Sequence, residues 1–160
     1  MLPPAYNDIH QIFQTRDYVV LFTEMNNNSP RIIPLDGRPF ISDKIRQFPG
    51  DSRGHWEGDT LVVETTNFTD KTRFQRSSEA LHVVERFTRV DADTILYEFT
   101  VDDPTSWTSP WSAEIPMVKT EGPLFEYACH EGNYDVRHLL EIYRNLEIQA
   151  AADASEPGSK

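Results

Sequence analysis

The stretch that decides the fold is Leu81-His82-Val83-Val84-Glu85-Arg86-Phe87-Thr88-Arg89-Val90-Asp91-Ala92-Asp93-Thr94-Ile95-Leu96-Tyr97-Glu98-Phe99-Thr100-Val101. Residues 81–90 and 94–101 are rich in β-branched and aromatic side chains, which favour strands. Asp91-Ala92-Asp93 separates them and suits a turn. A hairpin closed by these three residues places Phe87 opposite Tyr97 and Arg86 opposite Glu98, an aromatic pair and an ion pair. The same register gathers Val83, Phe87, Ile95, Tyr97, Phe99 and Val101 on one face. The core is therefore built on an antiparallel sheet.

Further strands follow on either side. Residues 18–25 (Tyr-Val-Val-Leu-Phe-Thr-Glu-Met) are apolar on both alternating faces, the pattern of a strand buried on two sides. Residues 31–35 form a shorter run that ends at Asp36-Gly37-Arg38-Pro39, and residues 26–30 read as the loop of a hairpin. Residues 61–66 follow Trp56-Glu57-Gly58-Asp59, where Gly58 supplies a turn with positive φ. Two later strands are expected at 111–118 and 124–130, with Pro116 confined to an edge or a bulge. After Gly132 the period becomes helical. Asn133 caps a predicted helix over 133–149, Asp135 sits in its first turn, and Val136, Leu139, Leu140, Tyr143 and Leu146 recur at helical spacing. Residues 150–160 read as a flexible tail. These elements predict a single mainly β domain over 1–149: a closed antiparallel β-barrel with one C-terminal α-helix, or alternatively a two-sheet sandwich.

Composition narrows the function. The chain has 15 Lys plus Arg against 26 Asp plus Glu, a net charge of -11, which disfavours a nucleic-acid partner. One cysteine, Cys129, excludes an internal disulfide and a cysteine-rich zinc site. No apolar run approaches the roughly 20 residues of a membrane span. The segment Met1-Leu2-Pro3-Pro4-Ala5-Tyr6-Asn7-Asp8 lacks the basic and apolar regions of a secretory signal. A cytoplasmic address is thus the default expectation, and an exported one follows if an upstream signal has been removed.

Three motifs carry a resemblance. Ile32-Ile33-Pro34-Leu35-Asp36-Gly37-Arg38-Pro39, then Gly50-Asp51-Ser52-Arg53-Gly54-His55-Trp56-Glu57-Gly58-Asp59-Thr60-Leu61-Val62-Val63-Glu64-Thr65-Thr66-Asn67-Phe68, then Ala128-Cys129-His130-Glu131-Gly132-Asn133 occur in this order. The segment spanning roughly residues 6–133 resembles a family of uncharacterised bacterial proteins. The resemblance implies an N-terminal extension upstream of Leu2-Pro3-Pro4 and, in many members, export. Gly54-His55-Trp56 is also similar to the Gly-x-Trp signature of lipocalin-like (calycin) barrels, which implies a barrel.

The candidate site residues lie mostly at strand ends. His130, in the densest polar segment, suits a general acid or base because its ordinary pKa is near neutrality. Its bland role is a hydrogen bond to a backbone carbonyl. Glu131 would contact substrate if the strand bends at Gly132, and otherwise satisfies helix amides. Glu24 shares a strand face with Tyr18, Val20 and Phe22; apolar surroundings would raise its pKa, while a strand that has already ended would leave it solvated. Arg31 is the candidate cation for a developing negative charge, with Tyr127 beside it in that role. Trp107 and Trp111 would stack on a planar ligand beneath a lid at 102–107, or simply pack.

No His-Glu-x-x-His pattern occurs, so no metal is expected, although His10, Glu24 and His130 form a metal-binding alternative. Phosphate loops and dinucleotide fingerprints are absent, and no cofactor is expected. The leading expectation is a small-molecule enzyme of lyase, hydratase, isomerase or hydrolase type, with Glu24, His130 and Arg31 around a barrel pocket. The alternatives are a lipocalin-like carrier of an apolar or aromatic ligand, and a homodimeric interaction domain that buries the two-sided strand 18–25.

Overall fold

Eight strands follow one another in the computed structural model, which describes residues 9–24, 30–72, 74–124 and 132–155. They are β1 (His10–Gln14), β2 (Tyr18–Thr23), β3 (Arg31–Pro34), β4 (Asp51–Glu57), β5 (Thr60–Thr66), β6 (His82–Arg89), β7 (Thr94–Asp102) and β8 (Trp111–Val118); a helix, α1 (Asp135–Ser155), closes the series. The chain divides into two compact units, Met1–Glu126 and Tyr127–Lys160. All the strands lie in the first unit and α1 in the second.

The β6–β7 hairpin has the expected register: Phe87 pairs with Tyr97 and Arg86 with Glu98, and the two rings lie 4.8 Å apart. The expected ion pair is replaced. Arg86 donates instead to Glu57 at 2.8 Å, since β4 brings a second carboxylate to the outer face. Every ladder is antiparallel, in the orders β1-β2-β3 and β4-β5-β6-β7-β8. Pro116 lies on the edge strand β8, where its missing N–H interrupts no second ladder.

The barrel expectation is corrected to two sheets. Among the described residues no ladder joins β3 to β4 or β1 to β8, so the eight strands do not close. The connection from β3 to β4 contains Pro39 and Pro49, which supply no ladder donors. β3 and β4 meet through side chains instead. A Cβ on Gly54 would come within 2.8 Å of both Ile33 and Leu35, so the bare backbone of β4 lets β3 pack against it.

The core fills the space between the sheets. Val19, Leu21 and Ile33 of the three-stranded sheet meet Leu61, Val63, Val83, Phe87, Tyr97, Phe99 and Val101 of the five-stranded sheet. The expected strand at 124–130 lies outside the described residues, apart from Leu124, which is not in a strand.

In the second unit, Asn133 caps α1 as expected, its Oδ1 accepting from the Asp135 N–H at 3.0 Å. The helix runs past 149 to Ser155, into the expected tail. Ala150, Ala151 and Ala152 explain the extension, because alanine is the strongest helix former.

Asp103, just beyond β7, ties the segment that leads into β6 to the segment that leaves β7. Its buried carboxylate accepts from Ser78 N–H (2.5 Å), Ser78 Oγ (3.1 Å), Thr105 N–H (3.1 Å), Thr105 Oγ1 (2.7 Å) and Ser106 Oγ (3.0 Å). Desolvation pushes its pKa up, but the hydrogen bonds from Ser78, Thr105 and Ser106 outweigh that and hold the carboxyl well below its ordinary value. Because the folded pKa lies below the unfolded one, this stabilisation is complete above the ordinary carboxylate pKa and fades as pH falls below it. Asp103→Ala should cost about 2–3 kcal/mol at neutral pH. Urea titrations should show the gap from wild type narrowing on acidification; a gap that persists unchanged in acid would contradict this account.

Candidate functional site

A cavity of about 760 Å³ lies between the two sheets. The three-stranded sheet contributes Ile12, Val19 and Leu21, and the five-stranded sheet contributes Trp56, Leu61, Phe87, Ile95 and Met117. Strand register orders this second wall. Trp56, Leu61, Phe87 and Tyr97 lie level across β4 to β7, and Arg89, Ile95 and Met117 form the next row. Beyond that row come the turn residues Gly58, Asp59, Ala92 and Asp93, together with Lys119, which also line the cavity. All of these sit at the end of the sheet where the β4–β5 and β6–β7 turns fall, so this end is the mouth.

One row deeper than Phe87 on the same face of β6 is Glu85, which is completely buried. Its partner comes from the other sheet. Arg31 of β3 donates from Nη2 to the Glu85 carboxylate and to Thr65 Oγ1 (2.6 Å), and from Nε to Ser52 Oγ (3.0 Å). Tyr97 Oη donates to the other Glu85 oxygen at 2.9 Å. Burial lowers the Arg31 pKa to about 10, which still leaves the guanidinium charged at neutral pH. Desolvation pushes the Tyr97 phenol up, so it remains a neutral donor. Arg31 Nη1 is buried without an acceptor. Five strands from both sheets, β3 to β7, thus converge on one ion pair.

The cluster places Arg31 in the interior, engaged with protein groups and away from the cavity wall. Glu24 is buried, one residue past β2, and its N–H donates to the Ile9 carbonyl at 2.9 Å; it does not line the cavity either. Its expected face is also reversed, since β2 buries Val19, Leu21 and Thr23 rather than Tyr18, Val20 and Phe22. Tyr127, Cys129, His130 and Glu131 lie outside the described residues. Trp107 and Trp111 take the packing role: they meet edge to face at 5.9 Å, and Trp111 stacks on Phe74 at 6.0 Å. His10 does line the cavity, and its Nδ1 lies 3.0 Å from Thr23 Oγ1.

A scan of protein-family models, a search of curated proteins and a search of solved structures each find no match. The site therefore stands on its own geometry. Among the described residues no group of three or more His, Cys, Asp or Glu could hold a metal ion, and no helix is long and apolar enough to cross a membrane. Two site features were missed in the sequence. Glu85 falls between Val83 and Phe87 at the same strand parity, which was the available signal. Trp56 directly precedes the Glu57-Gly58-Asp59 turn signal, but it lies within β4, lines the cavity and is 45% exposed.

Proposed function

We propose that this protein binds a small apolar or amphipathic molecule between its two sheets. The observation that carries the reading is the cavity itself. Its volume of about 760 Å³ falls in the usual range for small-molecule sites, and its depth is walled by Val19, Leu21, Leu61 and Phe87. Charged side chains gather at the turns rather than along these walls, which favours binding over chemistry. The acid–base reading retains one point of support, the His10 imidazole in the wall, and catalysis there would use His10 rather than Arg31.

The neutral fluorophore N-phenyl-1-naphthylamine tests binding directly. Saturable, blue-shifted emission is expected with wild type. Met117→Trp, which places a bulky ring in the cavity row, should weaken the probe at least about tenfold, in line with a steric block of an apolar site. Thermal melting of the variant checks that the fold is kept. Absence of saturable binding, or equal binding by a well-folded Met117→Trp, would overturn the proposal.

A further inference from the structure

The mouth of the cavity carries charges of both signs, and they are not equivalent. Lys119 lies 3.8 Å from Asp93, so a carboxylate already offsets it. Arg89 stands apart. It occupies the inner-face parity of β6, two residues above Phe87, and its donors go to backbone oxygens: Nε to Asp91 at 3.0 Å and Nη2 to Ala92 at 2.9 Å. Those bonds orient the guanidinium without neutralising it, and they leave others of its five N–H donors for a ligand. The nearest acid in its turn, Asp91, accepts from the Asp93 N–H at 2.8 Å and stays beyond ion-pair distance of Arg89, whose charge still helps, after the Asp93 and Thr94 hydrogen bonds, to hold that carboxyl below its ordinary value. Asp59 lines the same mouth, one residue before the Thr60–Thr88 pair that ends the β5–β6 ladder.

We propose that the ligand has an apolar body and an oxyanion head such as a carboxylate or sulfonate, and that Arg89 receives the head at the mouth. This rests on the cavity reading above. The chain as a whole carries a net charge of -11, so an anion approaching it is repelled at range. A fixed cation on the inner face supplies the local attraction that an anionic head needs. A planar guanidinium with spare donors also matches an oxyanion better than an ammonium already beside a carboxylate.

Two probes sharing one ring system separate the head from the body: 1-anilinonaphthalene-8-sulfonate, which is anionic, and N-phenyl-1-naphthylamine, which is neutral. Arg89→Gln should weaken the sulfonate about tenfold and the neutral probe less than about twofold. Lys119→Gln, at a cation already beside Asp93, should weaken the sulfonate clearly less than Arg89→Gln does, and Asp59→Asn should tighten the sulfonate alone. Added salt should weaken the sulfonate on wild type and much less on Arg89→Gln. Equal losses for both probes would mean that Arg89 only holds its turn, and no loss would exclude it from the head site; either result overturns the proposal while the cavity reading stands. If neither probe binds wild type, the cavity reading fails first, and this inference with it.

Discussion

Arg31→Met is expected to destabilise the protein by about 3–5 kcal/mol, because it strands the Glu85 carboxylate in the interior. Glu85 is fully buried, and Arg31 is the guanidinium that crosses from the three-stranded sheet to reach it. Glu85→Leu should cost a similar amount by leaving the guanidinium without its carboxylate. The double variant Arg31→Met with Glu85→Leu should recover most of the loss, since removing both charges also removes their desolvation cost. Urea denaturation of the four proteins gives the coupling. A loss below about 1 kcal/mol for Arg31→Met, or simple additivity in the double variant, would show that the pair does not join the sheets energetically.

Gly50→Ala should cost about 3–4 kcal/mol, combining an unfavourable backbone with an overpacked site. Gly50 has a φ of +73°, and an added Cβ would lie 2.6 Å from Thr65 Cγ2, 2.7 Å from the Thr66 carbonyl and 2.8 Å from the Phe68 ring. The threonine methyl can turn aside, but the Thr66 carbonyl is backbone at the Asp51–Thr66 pair that starts the β4–β5 ladder. Gly37 is the internal control. Its φ is +72° with nothing within 4 Å of an added Cβ, so Gly37→Ala should cost only about 1 kcal/mol. Comparable losses at the two positions in thermal or urea melts would show that φ alone matters and that the contacts at Gly50 relax.

The elements that could be read in advance share a local cause. The β6–β7 hairpin follows from alternation and a three-residue turn, the edge position of β8 from Pro116, and the start of α1 from Asn133. β4 was harder to see, because Arg53, His55 and Glu57 face outward while Gly54 leaves a gap in the inner row. That glycine makes sense only once Ile33 and Leu35 are known to press against it. Glu85 illustrates the same limit at the candidate site. Its parity marks it as inward, but a lone inward glutamate does not reveal whether it faces a ligand, a metal or an arginine.

Alternation along each strand, the turn residues and the helix cap are set by neighbours in the chain, so the amino-acid order alone determined the strands of the main hairpin and which of their side chains turn inward. The arrangement of two sheets, the Arg31–Glu85 link between residues 54 positions apart, and the mouth assembled from separate turns were decided only by tertiary structure. The physical reason is that pairing energies between distant residues depend on which surfaces exclude water together, and no local pattern encodes that choice.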